Sequence, residues 1–394
     1  MIRRLQDADI AGKRVLVRVD FNVPMANGQV TDDTRLKAAL PTIAHLRRDG
    51  AKVILAAHFG RPKGRDMSMS LAPVATPLAE LIGHPVKFVS DCVGQDAEEA
   101  AASLQPGDVL LLENTRFHAG EEKNDPEFAA GLAKLADLYV NDAFSAAHRA
   151  HASTEGVARR LPAYAGLALQ REIDHVTAAL ENPSRPLLAV VGGSKVSTKI
   201  DLLKNLVAKV DRLFVGGAMA NTFLAAKGHD MGASLFERDL LDTAREIMDA
   251  AERSGSTILL PVDGVAATEF KAHADRRVAQ VDDVKPTEMI LDCGPDTVDR
   301  LADAIETART LVWNGPLGAF ETPPFDTSTV EAARFAAKRC TDHGLTAVAG
   351  GGDTVAALNQ AGVADDFTFV STAGGAFLEW LEGKALPGVE ALKD

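Results

Sequence analysis

The first half of the chain concentrates arginine, histidine, aspartate and asparagine at or near the points where short apolar runs end. These residues are Asp20, Asn22, Arg35, His58, Arg61, Arg116 and Arg149. The planar guanidinium group of arginine binds carboxylate and phosphate oxygens through paired charge-assisted hydrogen bonds, and histidine can add a further donor. This composition predicts a site for a small ligand with more than one anionic group.

Taken one at a time, these residues also have ordinary structural explanations. Arg35 could be a solvated residue in the first turn of a helix, and Asp20 could cap a turn. Repetition at successive run ends favours a binding site instead, because ligands of open parallel sheets bind outside the carboxyl ends of the strands.

The apolar runs of the second half end mainly in glycine. The residues concerned are Gly192, Gly193, Gly216, Gly217, Asn314, Gly315, Gly350, Gly351, Gly352, Asp353, Thr354, Gly374 and Gly375. Glycine lets backbone N–H groups approach phosphate oxygens, and a helix that follows offers its positive end. This half therefore predicts a nucleotide site.

Two glycine-rich segments carry side chains suited to a phosphate chain. In GGSKVSTK (192–199) we expect Lys195 at the start of a helix and Lys199 one turn later, so both ammonium groups could reach one phosphate chain. Asp353 and Thr354 should begin another helix, where a carboxylate can hold Mg²⁺. A plain helix cap explains Asp353 and Thr354 equally well.

Neither common nucleotide fingerprint is present. The two Gly-Lys pairs, 12–13 and 383–384, lack the earlier glycine of GxxxxGK[ST]. No GxGxxG follows the first apolar run, which disfavours a dinucleotide site. A nucleotide site in this chain must have another design.

Short apolar runs alternate with segments of helical periodicity along the whole chain, a pattern typical of parallel sheets covered by helices. The runs are 15–21, 52–59, 86–90, 108–114 and 138–144, then 187–193, 212–220, 257–263, 310–315, 345–351 and 367–375. We predict an α/β fold of two doubly wound parallel-sheet (Rossmann-like) domains joined by a hinge helix.

The predicted boundaries place residues 1–165 and the tail 378–394 in the first domain and 187–377 in the second. Residues 166–186 then form the interdomain helix and hinge. Segment 163–186 is interpreted as one amphipathic helix stopped at Asn182-Pro183. An ordinary surface helix of either domain explains this segment equally well.

Composition excludes several function classes. The formal net charge of −13 disfavours nucleic acid and membrane surfaces as partners, and no apolar stretch approaches the length of a membrane span. The charged amino terminus does not resemble a signal peptide. Cys92, Cys293 and Cys340 fit no metal-binding spacing. We expect a cytoplasmic protein with reduced thiols, acting as a monomer.

Eight segments resemble the motifs of the phosphoglycerate kinase family, in the family's order and over nearly the whole chain. They are VRVDFNVP (17–24), HFGRP (58–62), ENTRFH (113–118), AHRAHAS (147–153), GGSKVSTKI (192–200), WNGPLGAFE (313–321), GGGDT (350–354) and STAGGAFLE (371–379). Eight motifs in register are far more specific than any one of them. The resemblance implies two facing domains, one for 3-phosphoglycerate or 1,3-bisphosphoglycerate and one for MgADP or MgATP.

The resemblance also implies a role for each matching residue. The acid site would contain Asp20, Asn22, Arg35, His58, Arg61, Arg116 and Arg149. The nucleotide site would contain Lys195, Lys199, Gly216, Gly217, Asn314, Glu321, Gly350, Gly351, Gly352, Asp353 and Thr354, with Asp353 as the magnesium ligand. Arg35, Lys195, Gly352 and Gly375 would stabilise the transferring phosphoryl group.

The chain departs mildly from the family pattern. Phe59 and Thr115 stand where leucine is common, Ser145-Ala146 replaces a frequent Gly-Thr, and Ala218 and Ala373 replace common glycines. We expect the first three changes to affect only packing beside the acid site, and the two alanines to affect nucleotide contacts.

The implied reaction is direct, reversible transfer of an acyl phosphate to ADP, which asks the protein for alignment and charge neutralisation and for no covalent nucleophile. Sites on two domains would require the domains to close. One alternative is a doubly wound dehydrogenase, which failure to bind NAD would exclude. The other is a two-lobed anion-binding protein, which tight binding of MgADP would argue against.

Overall fold

The computed structural model describes residues 1–393, which divide into two compact units. Unit 1 comprises Met1–Ile173 together with the C-terminal segment from Ala385, and unit 2 is the continuous stretch Asp174–Lys384. The predicted fold class is confirmed, since each unit is built on a six-stranded sheet whose strands are all parallel.

Unit 1 contains eight strands and the first five helices. The strands are β1 (Arg14–Arg18), β2 (Met25–Ala26), β3 (Gln29–Val30), β4 (Lys52–Ala56), β5 (Val86–Val89), β6 (Val109–Leu112), β7 (Leu138–Asn141) and β8 (Ala163–Ala165). The helices are α1 (Thr34–Arg48), α2 (Ala75–Ile82), α3 (Gln95–Ala102), α4 (Pro126–Ala133) and α5 (Leu167–Leu180), and α5 continues into unit 2. The main sheet has the order β5-β6-β4-β1-β7-β8.

Unit 2 contains the remaining strands and seven helices. The strands are β9 (Leu187–Val191), β10 (Arg212–Val215), β11 (Thr257–Leu259), β12 (Asp263–Ala267), β13 (Arg276–Gln280), β14 (Met289–Cys293), β15 (Thr310–Asn314), β16 (Thr346–Gly350) and β17 (Phe369–Ser371). The helices are α6 (Ile200–Val207), α7 (Ala218–Ala226), α8 (Leu241–Ser254), α9 (Pro295–Thr307), α10 (Thr327–His343), α11 (Gly352–Ala361) and α12 (Gly374–Leu381). The main sheet has the order β11-β10-β9-β15-β16-β17.

The main sheets form because their strands are continuous apolar runs that helices cover. Every residue of β6 and of β9 is buried, as expected for interior parallel strands. In unit 1 the core includes Val15, Val53 and Val109 from three neighbouring strands. This burial fixes the register, so the carboxyl ends of adjacent strands lie side by side.

A second sheet in unit 2 was not predicted. Strands β13, β12 and β14 pair antiparallel in that order, with an irregularity in the pairing between Val265 and Ala266. Half-exposed β13 (RRVAQ) lacks a continuous apolar run, and Gly264 interrupts the apolar residues of β12. This sheet matters because β14 forms part of a cavity wall.

Two predictions about the segments that join the units need correction. Segment 163–186 is not one helix, because residues 163–165 pair with β7 as strand β8 before α5 begins at Leu167. Residues 378–384 lie in unit 2 instead of unit 1, because α12 packs on α6 and Asn205 Nδ2 donates to Leu381 O at 2.6 Å.

The segment from Ala385 returns to unit 1 and adds α13 (Pro387–Glu390). Gly388 N donates to Ala147 O at 2.8 Å, and Asn141 Nδ2 donates to Gly388 O at 3.2 Å. Arg3 N donates to Leu392 O at 3.1 Å. Unit 1 is therefore closed by residues from both ends of the chain.

Within residues 1–393, none of the helices combines the length and the apolar character needed to cross a bilayer.

Candidate active site

The strand ends of unit 1 bring its predicted basic residues to one edge of the sheet. Strand β1 lies between β4 and β7, and Arg18, its last residue, pairs with Ala56 on one side and Asn141 on the other. Asp20 and His58 therefore follow adjacent strands, and the segment carrying Arg149 follows the third. The fold thus places residues from distant parts of the sequence together.

Arg35, in the first turn of α1, is tied to Asp20. Its Nη1 donates to both carboxylate oxygens of Asp20 at 2.9 Å. The same carboxylate accepts a hydrogen bond from Ser145 Oγ at 2.5 Å and one from Asn22 N at 3.2 Å. Ser145 was expected only to affect packing. That expectation is wrong, because its hydroxyl directly contacts the carboxylate that holds Arg35.

A fully buried arginine forms hydrogen bonds to residues of the basic site. Arg18 is 1% exposed and donates from Nη2 to His58 Nδ1 at 2.8 Å, from Nε to Ser153 Oγ at 2.8 Å and from Nη1 to Val19 O at 2.5 Å. Sequence reasoning assigned Arg18 no role. The signal was present, since an arginine inside an apolar strand requires partners.

Burial, together with the neighbouring arginines, keeps His58 and His151 neutral. Burial, with Arg18 next in importance, holds the pKa of His58 far below its usual range. Burial and the nearby Arg116 lower the pKa of His151 to about 4. His151 was also assigned no role from the sequence. At neutral pH neither His58 nor His151 therefore adds positive charge to the site.

The remaining predicted residues of unit 1 lie on the loops that surround this edge. Arg116 donates from Nη1 to Gly60 O at 2.6 Å and lies 3.2 Å from a Glu122 oxygen. Asn22 Oδ1 accepts from Gly60 N at 2.9 Å, which fixes the same loop. Arg149 Nε donates to His148 Nε2 at 3.1 Å. Arg61 is exposed and has no hydrogen-bond or ion-pair partner among residues 1–393.

The glycine loops of unit 2 pack so closely that side chains would not fit. A Cβ atom on Gly192 would lie 1.9 Å from Pro316 O. Gly217 has a φ of +69°, and a Cβ there would lie 2.4 Å from Gly193 O. Gly217 N donates to Leu317 O at 2.9 Å, joining two of these loops. Glycine is therefore needed at these positions for the close packing of the backbone, in addition to any role in binding a ligand.

Lys199 is the centre of a polar network that links three strand ends. Its Nζ donates to Gly192 O and to Asn314 Oδ1, both at 2.7 Å. Asn314 Nδ2 donates to Gly350 O at 2.8 Å, and Gly315 N donates to Thr354 Oγ1 at 2.7 Å. Burial lowers the pKa of Lys199 to about 8, and the negative charge of Asp353 acts in the opposite direction.

Lys195 and Lys199 do not occupy the helical positions predicted for them. A 3-10 turn, Val196–Thr198, comes between them, and α6 begins only at Ile200. Lys195 is exposed on the loop, while Lys199 immediately precedes the helix and makes no capping hydrogen bond with its side chain. The two amines therefore have different environments.

The predicted helix start at Asp353 is observed, and α12 begins beside Gly375. Asp353 is an exposed residue in the first turn of α11. Gly375 is exposed in the first turn of α12. Both helices begin at the same edge of the sheet as Lys199, because β16 and β17 are adjacent strands.

A cavity of about 370 Å³ adjoins these loops within unit 2. Gly217, Glu321 and Asp353 line it, as do Ala218 and residues 289–293 of the unpredicted strand β14. Apolar side chains form much of the wall, and Leu235 and Phe270 belong to it although both are exposed. Such a pocket suits a flat, largely apolar group beside a charged one.

One other cluster has metal-ligand chemistry. Ligand atoms of Asp91, Cys92 and His118 lie within 4.8 Å of one another. However, the carboxylate of Asp91 already accepts from His118 Nε2 at 2.6 Å and from Arg65 Nη1 at 3.2 Å. These partners explain the cluster as a hydrogen-bonded group.

Comparison with known proteins identifies the family of the chain. The family model described as "Phosphoglycerate kinase" matches residues 5–384. The chain is 67% identical over 392 residues to phosphoglycerate kinase of Maricaulis maris, covering 99% of this chain and 97% of that protein. It is 64% identical over 391 residues to the enzyme of Xanthobacter autotrophicus, covering 99% of each.

Solved structures give the same result. The phosphoglycerate kinase from Coxiella burnetii superposes with a TM-score of 0.93 at 43% identity, covering 100% of this chain and 99% of that one. The enzyme from Pyrococcus horikoshii gives 0.81 at 33% identity, covering 99% and 98%. By its motifs, its fold and these relatives, the chain belongs to the phosphoglycerate kinase family.

Proposed function

We propose that unit 1 binds the phosphoglycerate and unit 2 binds the nucleotide. The family reaction is transfer of the acyl phosphate of 1,3-bisphosphoglycerate to ADP, giving ATP and 3-phosphoglycerate in glycolysis. The observation that supports assigning one substrate to each unit is the difference in chemistry between the two sheet edges. The edge in unit 1 presents arginines around Asp20. The edge in unit 2 presents glycine loops, the hydrogen-bond network of Lys199 and an apolar cavity.

The residues of unit 1 suit a ligand with a carboxylate and a phosphate. Arg35 uses only Nη1 to bind Asp20, so its remaining N–H groups can bind anionic oxygens. His58 Nδ1 accepts from Arg18, which can only donate, so the proton of neutral His58 is on Nε2. That N–H adds a directed donor. Asn22, Arg61, Arg116 and Arg149 complete the proposed set.

The residues of unit 2 suit a nucleotide. The purine would occupy the cavity near Gly216 and Gly217, with Glu321 at the ribose. The phosphates would lie against Lys195, Lys199 and the first turn of α11, where backbone N–H groups favour anions. Asn314 and Thr354 hold the loops from behind through hydrogen bonds to Gly350 O and Gly315 N. The backbone of Gly350, Gly351 and Gly352 completes this side.

Asp353 fits the role of magnesium ligand. Asp353 lines the cavity, and its carboxylate makes no hydrogen bond with any residue of 1–393. Protein sites for Mg²⁺ commonly supply one or two carboxylates, with substrate phosphates completing the shell. When bound, the ion would neutralise phosphate charge at this edge.

The protein's contribution to transfer is positioning and electrostatic stabilisation. The charge spread over the transferring oxygens would be met by Arg35, by Lys195 and by the backbone N–H groups of Gly352 and Gly375. A carboxylate acceptor has no proton to lose, so the reverse reaction needs no general base. Neither direction needs a covalent intermediate on the protein.

A coupled assay with 3-phosphoglycerate and MgATP tests the proposal. We expect Arg35→Ala and Lys195→Ala each to lower kcat/KM by roughly a hundredfold or more, the scale seen when one charge-stabilising donor is lost. Arg48→Ala on the same helix as Arg35, and Lys204→Ala on α6, are matched controls that should stay near wild type. Full activity in both site variants would contradict the assignments, and an inactive wild type would contradict the function.

The proposal extends to conformation and environment. Residues 166–186 would act as a hinge. A small-angle X-ray scattering profile that is the same without ligands and with both substrates bound would contradict this.

We also propose a cytoplasmic monomer. Cys92 and Cys293 are buried free thiols, which suits a reducing compartment. Size-exclusion chromatography with light scattering would test the monomer.

A further inference from the structure

We propose that Ser145 is a positioning residue for the acid site, acting through Asp20 on Arg35. This inference rests on the proposed function, because it assumes that Arg35 binds the phosphoglycerate. Ser145 would fix the plane of the Asp20 carboxylate, and that plane would set the direction in which Arg35 presents its unused N–H groups.

The contacts around Asp20 leave its carboxylate little freedom. Oδ1 accepts from Arg35 Nη1 at 2.9 Å and from Asn22 N at 3.2 Å. Oδ2 accepts from Arg35 Nη1 at 2.9 Å and from Ser145 Oγ at 2.5 Å. Each oxygen thus has one partner besides Arg35. Asn22 supplies backbone on one side and Ser145 supplies a side chain on the other.

The serine is delivered from a rigid part of the fold. It lies in the 3-10 turn Phe144–Ala146, whose two other residues are 3% and 5% exposed. Ala147 N donates to Phe144 O at 2.9 Å, and Ala147 O accepts from Gly388 N at 2.8 Å. Because serine has a single side-chain rotor, a fixed turn gives its hydroxyl a nearly fixed position.

The arrangement explains how Asp20 can fix Arg35 in place while other N–H groups of its guanidinium remain able to bind a ligand. Asp20 engages only Nη1, and no residue of 1–393 bonds Arg35 Nε or Nη2. If Oδ2 lost the serine, the carboxylate could rotate and engage more of the guanidinium group. Arg35 would then offer fewer donors to a ligand, because each guanidinium N–H makes one strong hydrogen bond.

Ser145→Ala should therefore weaken the acid and spare the nucleotide. We expect the Kd and the KM for 3-phosphoglycerate to rise roughly three- to tenfold, the range that the net contribution of one ordinary hydrogen bond supports. The KM for MgATP and the melting temperature should stay close to wild type. Ser145→Thr keeps the hydroxyl and should keep the affinity.

The experiment compares five variants with wild type by calorimetric titration of 3-phosphoglycerate and by steady-state kinetics. Ser145→Ala and Ser145→Thr are the test variants. Ser103→Ala is the matched control, because the Ser103 hydroxyl donates to Ala100 O at the end of α3 in the same unit. The double variant Asp20→Asn with Ser145→Ala, compared with Asp20→Asn alone, shows whether Ser145 acts through Asp20.

Loss of 3-phosphoglycerate affinity in Ser145→Ala, its recovery in Ser145→Thr and no further loss in the Asp20→Asn background would support the proposal. Unchanged affinity in Ser145→Ala, or an equal loss in both backgrounds, would overturn it. These outcomes differ from failure of the proposed function, in which Arg35→Ala itself would keep full activity and affinity.

Discussion

A neutral histidine can donate from only one ring nitrogen, and the buried Arg18 decides which nitrogen that is in His58. Because Arg18 Nη2 lies 2.8 Å from Nδ1 and has no lone pair to offer, Nε2 carries the proton. The low pKa that burial imposes on His58 keeps the ring neutral over the physiological range. Arg18 thus contributes to the proposed acid site as a support and not as a ligand.

Lys199 should couple nucleotide binding to proton uptake. Its pKa of about 8 means that part of the population is neutral in slightly alkaline solution, and bound phosphates would favour the charged form. Nucleotide affinity should therefore fall as pH rises through about 8. Calorimetry of ADP binding near this pH, in buffers of different ionisation enthalpy, should show net proton uptake.

The control for this prediction lies on α6, the helix that follows Lys199. Lys199→Met should abolish the proton uptake and weaken ADP binding, whereas Lys204→Met, which changes an exposed lysine of α6, should leave both unchanged. Equal proton uptake in Lys199→Met and wild type would contradict the role of this amine.

At the scale of elements, the glycine loops of unit 2 divide into those needed for packing and those open to a ligand. Gly192 faces the carbonyl oxygen of Pro316, whereas a Cβ on Gly352 would meet nothing within 4 Å. Gly352 also lies inside α11, where alanine is compatible with the backbone. Substitution by alanine should thus lower stability at Gly192 and leave it unchanged at Gly352.

Gly192→Ala should destabilise unit 2, because two backbone segments must separate to admit the methyl group. We expect a loss of about 1–3 kcal/mol in the free energy of unfolding, the usual range for overpacking. Gly352→Ala should unfold like wild type and affect only nucleotide binding. Urea unfolding of both variants measures the difference, and equal stability would contradict this account.

The same scale shows what the sequence could and could not predict. The parallel strands were predictable because they are continuous apolar runs between helical segments. Strands β12 to β14 were missed because β13 is half exposed and its charged residues resemble a loop. Lys195 was misplaced because the 3-10 turn Val196–Thr198 delays the helix, and residue type alone does not distinguish a 3-10 turn from a first helical turn.

The sequence indicated some of the candidate site residues and missed the role of others. The eight motifs predicted the residues at strand ends, because those residues follow apolar runs directly. Ser145 was underestimated, since only the pairing of β1 with β7 brings it to Asp20 across 125 residues of sequence. A hydroxyl whose partner is distant in sequence leaves no local pattern.

At the scale of the whole molecule, each substrate should stabilise its own unit. A ligand at a hundred times its Kd adds about 2.7 kcal/mol to the stability of what it binds. We expect 3-phosphoglycerate alone to slow hydrogen exchange mainly within 1–173, and MgADP alone mainly within 174–384. Hydrogen exchange with mass spectrometry measures this, and Arg35→Ala should remove only the first effect.

A buffer salt offers the control for that measurement, since sulfate at equal ionic strength should not reproduce the protection by MgADP. Protection by MgADP confined to the first 173 residues would reverse the proposed assignment of the two units.

The closure of unit 1 by the C-terminal segment has a consequence for synthesis. Unit 2 is one uninterrupted stretch, whereas unit 1 needs Gly388 and Leu392 to complete its contacts with Ala147 and Arg3. A chain still growing on the ribosome therefore contains all of the later unit before it contains the last piece of the earlier one. We expect unit 2 to mature first, and the turn that carries Ser145 to settle only after the segment from Ala385 has been synthesised.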